Sequence, residues 1–169
     1  MNPMQQIKVE KVTLNVGAGK DAKLLEKSMT VIKSITGTAP VKTITQKRIP
    51  GWGLRPGLPI GCKLTLRGEQ AQKLIPRLLV AKDNQLSNKN FDEAGNISFG
   101  IPEYIDIEGA EYDPKIGIIG LQACVTLVRP GYRVKNRKIR PQKIKKQRIN
   151  RTDAVAFMKE HFQTKVEEQ

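Results

Sequence analysis

The stretch IGCKLTLR, residues Ile60–Arg67, alternates apolar and polar side chains at every position. Successive side chains of a β-strand point to opposite faces, so this alternation predicts a strand with two different faces. One face is apolar, and the other carries Gly61, Lys63, Thr65 and Arg67. We therefore expect a sheet that is buried on one side and is basic and hydroxyl-rich on the other. Either a partner or plain solvent meets that second side.

The rest of the chain supplies further strands and helices for such a sheet. Ile7–Val16 repeats the alternation, with Lys11, Thr13 and Asn15 on the polar side. Asp83–Asn96 is polar and is expected to be a loop. The other expected elements are strands at Val41–Lys47, Ile97–Phe99, Tyr104–Ile107 and Leu121–Val128, and helices at Asp21–Thr36, at Glu69–Lys82 with a kink or restart at Pro76, and from Thr152 onward.

Two stretches of the chain carry more than its whole net charge of +14. Residues 27–68 contain eight bases and no acid, and Arg129–Arg151 contains eleven bases and no acid. Asp92–Asp113, in contrast, contains seven acids and no base. Two separate acid-free stretches predict a polyanionic partner that is bound in a strongly salt-dependent way. RNA fits best, because a basic, hydroxyl-rich sheet face can meet phosphates and 2′-hydroxyls.

These observations together predict one α+β domain that binds RNA. Its fold is expected to be two-layered, with a mostly antiparallel sheet, helices on one face and an exposed basic face. A chain of 169 residues is long enough to bury a proper core. We expect residues 1–128 to form the RNA-binding core, and residues 129–169 to form a basic extension that ends in a short helix and packs on the same domain.

A loop rich in glycine and proline precedes the Ile60–Arg67 strand. Pro50–Gly61, PGWGLRPGLPIG, contains four glycines, three prolines and the only tryptophan of the chain, Trp52. Residues this dense in glycine and proline predict an irregular surface loop, which we take as residues 48–61. Trp52 either anchors this loop by folding back or faces a ligand.

Several other kinds of function are not expected. Gly17–Asp21 imitates a dinucleotide-binding turn, but the chain has no acid between Lys27 and Gly68 to hold a ribose. A single histidine, His161, and two distant cysteines are too few for a zinc site. The acidic run has no histidine beside it for acid–base catalysis. We therefore expect neither an enzyme nor a cofactor.

The cysteines and the chain's apolar stretches indicate its compartment. Cys62 and Cys124 each lie in a strand-like stretch and are expected to be small buried side chains rather than a disulfide. No apolar run has a membrane-spanning length, and Met1–Gln6 has no signal-peptide pattern. Arg129–Arg151 is interrupted by prolines and lacks an apolar helical stripe, so a membrane surface is not the expected polyanion. These features favour a cytoplasmic protein.

Five segments, taken in order, resemble the L-five family of large-subunit ribosomal proteins. They are NVGAGKD at Asn15–Asp21, ITGTAPVKT at Ile35–Thr43, LPIGCKLTLRGE at Leu58–Glu69, GNISFGIPEYI at Gly95–Ile105, and RPGYRVKNRKIRPQKIKKQRI at Arg129–Ile149. The last segment and the closing helix are similar to the archaeal branch of the family. The resemblance covers nearly the whole chain.

The resemblance implies a set of partners and contact sites. Members of the family bind 5S rRNA in the central protuberance, touch 23S rRNA and neighbouring large-subunit proteins, reach P-site tRNA, and bridge to a small-subunit head protein of the S-thirteen family. By this resemblance, rRNA contacts are expected at Asn15, Thr38, Lys63, Thr65 and Arg67. The polar sheet face adds Lys11 and Thr13, and the basic stretch adds Arg133, Lys135, Arg137, Lys138 and Arg140. The tRNA-facing loop would use Arg48, Gly51, Trp52, Gly53, Leu54 and Arg55, and our hypothesis places the bridge at Glu103, Asp106, Glu108 and Glu111.

A free-standing RNA chaperone or tRNA-binding module is the alternative function. It would share the basic faces of a ribosomal protein, but it would have no preferred ribosomal partner. Competition between 5S rRNA and tRNA for the protein distinguishes the two.

Overall fold

The computed structural model describes residues 2–143 and 148–167, so residues 144–147 of the basic stretch lie outside the described part. The strands are β1 Lys8–Gly17, β2 Val41–Ile44, β3 Pro59–Leu66, β4 Gln85–Ser87, β5 Asn96–Ile101, β6 Leu121–Val128 and β7 Lys165–Glu167. The helices are α1 Ala22–Thr36, α2 Gly68–Val80, α3 Arg133–Asn136 and α4 Arg151–Phe162.

The main sheet has five strands in the order β2-β3-β1-β6-β5, and every neighbouring pair is antiparallel. The central strand β1 places Val12 opposite Leu66 of β3 on one side and opposite Val125 of β6 on the other. Directly opposite residues share a face, so these apolar side chains form one continuous buried surface. The α+β fold with a mostly antiparallel sheet is therefore confirmed.

The helices cover the apolar face of this sheet. Helix α1 packs on β3, α2 packs on β1, and α4 packs on β5. The core is aliphatic; Val12, Ile32, Ile75 and Val125 are fully buried within it. Within the described residues, no helix is both long enough and apolar enough to cross a membrane.

Local chemistry explains where the first two helices begin and end. The Asp21 side chain accepts hydrogen bonds from the backbone N–H groups of Lys23 and Leu24, and Gly37 ends α1 with a left-handed φ of 70°. Helix α2 runs through Pro76 without interruption, so the predicted restart is wrong. Pro76 lies on the exposed side, where the carbonyl that loses its N–H partner faces water.

Three other predicted elements are wrong in detail. Tyr104–Asp106 is a 3-10 turn rather than a strand, because Tyr104 and Ile107 are the buried pair and three-residue spacing suits a helical turn. The polar stretch Asp83–Asn96 is not all loop, since it contains β4, which pairs in parallel with β7. Strand β2 ends at Ile44 rather than at Lys47, where a register shift interrupts its pairing with β3.

The last helix begins earlier than the sequence suggests. Asn150, not Thr152, is its N-cap residue, and the Asp153 carboxylate accepts a hydrogen bond from the Asn150 N–H at 3.4 Å. Ala154 and Met158 of this helix are fully buried and belong to the same core as the sheet, as does Ile149 before it.

The two cysteines lie on opposite faces of the sheet. Cys62 points into the core, where burial raises the pKa of its thiol, while Cys124 is opposite Thr13 on the other face and is half-buried. Both are free thiols, as the sequence predicts. The expectation that both are buried is wrong for Cys124, because its place in the alternation of β6 puts it on the outward face.

Candidate RNA interface

The sheet face away from the helices is polar and open, and we call it the free face. Thr13 of β1 lies opposite Thr65 of β3, and Asn15 of β1 lies opposite Lys63 of β3. The two threonine hydroxyls are 3.5 Å apart, and Lys63 and Thr65 are exposed. The strand register therefore brings these four predicted contact residues together on the free face.

Strands β5 and β6 extend the free face by polar residues that the sequence reasoning missed. Asn15 donates a hydrogen bond from Nδ2 to Oε1 of Gln122 at 3.2 Å. Thr126 of β6 is opposite Lys11, and it is also opposite Asn96 of β5. The alternation within Leu121–Val128 was the available signal, but only the register shows that its polar residues share a face with Thr13 and Lys63.

The cations at the start of β1 and the end of β3 are unequal. Arg67 makes an ion pair with Glu10 at 3.1 Å, and its side chain remains 59% exposed. Glu10 lies where a register irregularity interrupts the pairing of β1 with β6, between Val9 and Lys11. Because Glu10 offsets the charge of Arg67, Lys11 and Lys63 are the cations that contribute most to the potential of the free face.

Loop 48–61 presents its tryptophan to the outside. Trp52 is 70% exposed, whereas Leu54 is 7% exposed and is the apolar anchor of the loop. Backbone hydrogen bonds join Ile49 to Leu54, and Gly53, with a φ of 68°, donates to the carbonyl of Pro50. Trp52 therefore does not fold back to anchor the loop, and its side chain faces outward. Arg48 and Arg55 are both exposed.

A second turn supports this loop. The N–H of Ala18 donates to the carbonyl of Ile60 at 2.9 Å, which joins the Gly17–Asp21 turn to the start of β3. The Lys20 ammonium lies 3.8 Å from the position that a Cβ on Gly53 would take. Lys20 therefore adds a cation beside the loop. No local sequence pattern predicts this proximity, because Lys20 and Gly53 are distant along the chain.

The basic segment, which is the described part of Arg129–Arg151, divides into a structural arginine and exposed cations. Arg129 donates from Nη2 to Oδ2 of Asp153 at 2.8 Å, and its side chain is only 16% exposed. It also donates from Nη1 to the carbonyl of Arg148 at 3.4 Å. The exposed cations that the sequence predicts as contacts are Arg133, Lys135, Arg137, Lys138 and Arg140. Lys145 and Lys146 lie outside the described residues.

The acidic run is divided by the fold. Asp92 and Glu93 lie in the turn before β5, while the other five acids lie in the loop at residues 102–119, which we call the acidic loop. In the turn, burial would raise the pKa of Asp92, but hydrogen bonds from Asn96, Ala94 and Gly95 outweigh it and lower that pKa. The Asp92 carboxylate is therefore occupied by hydrogen bonds within its own turn.

Backbone contacts hold the acidic loop and leave its carboxylates outside. Arg77 donates to the carbonyls of Glu108 and Ile35, and Lys27 donates to the carbonyl of Ile116 at 3.2 Å. Among the described residues, the ion pairs involve no carboxylate of this loop. Asp106, Glu108 and Glu111 are exposed and Glu103 is half-buried.

The charged segments lie at opposite ends of the sheet. Gly17 of β1 is opposite Gly61, so loop 48–61 is at the Gly17 end, and the β5–β6 connection places the acidic loop there too. The basic segment follows Val128, which is opposite Lys8 at the other end. A ten-residue strand spans about 30 Å between these ends. Thr38 lies off the free face, exposed in the connection from α1 to β2.

A helix-backed antiparallel sheet with a polar, basic free face is the arrangement expected of an RNA-binding protein. The family model described as Ribosomal protein L5 matches residues 2–55, and the model of this family's C-terminus matches residues 59–159. The chain belongs to this family of large-subunit ribosomal proteins. It is a structural constituent of the ribosome in the cytoplasm, with rRNA and ribosomal proteins as partners.

Relatives match over nearly the full length of the chain. The large ribosomal subunit protein uL5 of Nanoarchaeum equitans is 46% identical over 163 residues, covering 95% of this chain and 96% of the relative. The protein of the same name from Sulfurisphaera tokodaii is 40% identical over 170 residues, covering 99% and 96%. That of Methanosphaera stadtmanae is 40% identical over 168 residues, covering 99% and 100%. All three relatives are archaeal.

Proposed function

We propose that this protein binds 5S rRNA and attaches it in the central protuberance of the large subunit, with contacts to 23S rRNA. The free face carries the proposal: its register aligns Lys63 and Asn15 in one row and Thr65 and Thr13 in the next. Ammonium groups meet phosphates there, and hydroxyl and amide groups meet 2′-hydroxyls. The exposed cations of the basic segment extend the contact beyond the Lys8 end of the sheet, and Thr38 adds a contact from its turn.

We further infer that the Gly17 end of the sheet faces tRNA and the small subunit. Loop 48–61 carries an exposed indole together with exposed Arg48 and Arg55, and Lys20 lies beside its Gly53, which suits a stacked base and its phosphates in P-site tRNA. The acidic loop, at the same end, offers exposed carboxylates that complement a basic head protein of the S-thirteen family. Both contacts lie away from the basic segment, so the protein can make them while it holds 5S rRNA.

Replacing Lys63 by Ala together with Thr65 by Val is expected to weaken binding to a 5S rRNA transcript about tenfold, because one phosphate cation and one hydroxyl contact are lost. Both side chains face away from the core, so the melting temperature should change by less than about 2 °C. Filter binding and thermal unfolding measure the two effects. Lys33→Ala with Thr30→Val, on the exposed side of α1, is the matched control.

Two results would count against this proposal, one against the contact surface and one against 5S rRNA as the specific partner. If the control pair weakens binding as much as the free-face pair, the loss reflects net charge and not the proposed contact surface. If excess tRNA or any other folded RNA displaces 5S rRNA equally at moderate salt, the protein is a general RNA chaperone or tRNA-binding module.

A reciprocal pair of variants tests the Gly17 end in assembled ribosomes. Trp52→Ala is expected to weaken P-site tRNA binding about fivefold, the lower end for losing a base stack, with subunit association unchanged. Replacing Glu103, Asp106, Glu108 and Glu111 by their amides should weaken subunit association and leave tRNA binding unchanged. Each variant is the control of the other. If a variant changes neither tRNA binding nor subunit association, the contact that it tests is removed from the proposal.

A further inference from the structure

The basic segment contains a concavity that the free face and the loop do not explain. Its volume is about 450 Å³, within the range of small-molecule pockets. The lining includes three cations, Lys135, Lys143 and Arg148, and two ring side chains, Tyr132 and Pro141. None of its described lining residues carries a carboxylate. An anion with a flat apolar part fits this chemistry better than a bare anion does.

The segments that line this pocket are joined by hydrogen bonds that do not involve the charged groups of its three cations. The N–H of Gln142 donates to the carbonyl of Val134 at 3.2 Å, which joins the two sides of the segment. The Arg129 side chain, fixed by Asp153, also bonds the carbonyl of Arg148. These bonds connect the residues on both sides of the concavity without any ligand.

The turn that precedes β5 also lines the pocket, through Ala94. The next residue, Gly95, with a φ of 75°, lies so close to Ile149 that a Cβ would be 2.5 Å from that side chain. Ile149 itself is fully buried, so the core sets the position of this turn.

We propose that this pocket holds a single nucleotide extruded from rRNA, with its base against Tyr132 and Pro141 and its phosphate against Lys143 and Arg148. Lys135 already lies over the Tyr132 ring, at 5.8 Å from its centroid, so the base takes the remaining open surface of that ring. The Gln142 amide supplies directional hydrogen bonds for a base edge. This inference rests on the proposed rRNA binding, and it adds a recognition site outside the sheet.

The test separates stacking from charge in the full-length protein. Tyr132→Leu should weaken binding to the organism's own 5S or 23S rRNA transcript about fivefold and leave the salt dependence unchanged, because no charge is removed. Tyr132→Phe keeps the ring and should bind like the wild type. Tyr112→Leu is the matched control, since Tyr112 is exposed in the acidic loop. With 4-thiouridine RNA, the wild type should give a photo-crosslink at or beside Tyr132, which requires no variant.

The remaining outcomes overturn the pocket without ambiguity. If the Tyr132→Leu variant binds the transcript as tightly as the wild type does, and the wild type gives no crosslink at Tyr132, the nucleotide site is removed. The proposed function then still stands. If polyglutamate lowers the crosslink yield as strongly as a single-stranded oligonucleotide does, the site recognises negative charge alone. Failure of the wild type to bind either transcript would remove the pocket and the proposed function together.

Discussion

Replacing Gly61 by Ala is expected to destabilise the protein by about 3 kcal/mol, because the added Cβ has no room between strands β1 and β2. A Cβ at this position would lie 2.5 Å from the carbonyl oxygen of Val16 and 3.1 Å from Oγ1 of Thr43. The first of these atoms belongs to the backbone of the central strand and cannot move aside. For a domain of this size, the loss corresponds to a melting temperature about 6–12 °C lower.

The residue directly opposite provides the control. Gly17 pairs with Gly61 in the register, and a Cβ on Gly17 would meet no atom within 4 Å. Gly17→Ala should therefore change the melting temperature by only about 2 °C or less. Equal effects of the two substitutions in thermal unfolding would show that strands β1 and β3 do not approach each other as closely at Gly61 as the structure has them.

The predictions from local sequence pattern succeeded where one face is buried. Ile60–Arg67 alternates strictly, and Leu121–Val128 alternates except at Cys124 and Val128. The first lies in β3, which ends at Leu66, and the second is β6 with the predicted bounds. Asp21 and Gly37 likewise bound α1 through contacts that span a few residues. The sequence could not reveal β4 and β7, because a three-residue parallel pair depends on segments that only the tertiary fold brings together.

The sequence predicts which side chains of one strand face outward, but it does not predict which residues of other strands lie beside them. Lys63 and Thr65 were expected on an outward face, but the bond from Asn15 to Gln122 joins residues 107 positions apart. The acidic run appears continuous in the sequence, yet β5 carries its first two members to the opposite end of the sheet from the rest. Long-range register decides both features, and no local pattern encodes it.

The basic segment should contribute the largest share of the salt dependence. Replacing Arg133, Lys135, Arg137, Lys138 and Arg140 by Gln is expected to reduce the slope of log K against log salt by about 4, since each phosphate contact contributes about 0.7–0.9. Between 50 and 200 mM salt, the fold-loss of affinity for 5S rRNA should then be about 250 times larger for the wild type than for the variant. Arg129 is kept, because its ion pair with Asp153 supports the fold.

The control for this variant loses the same number of positive charges, so that the two variants have equal net charge. Replacing Lys23, Lys33, Lys73, Lys89 and Lys159 by Gln removes five exposed cations that lie outside the free face, loop 48–61 and the basic segment. Non-specific attraction depends on total charge, whereas released counterions depend on which phosphates are contacted. The control should therefore change the slope by less than about 1 unit. If both variants flatten the slope equally, the RNA responds to net charge alone, and the basic segment is only a solvated surface.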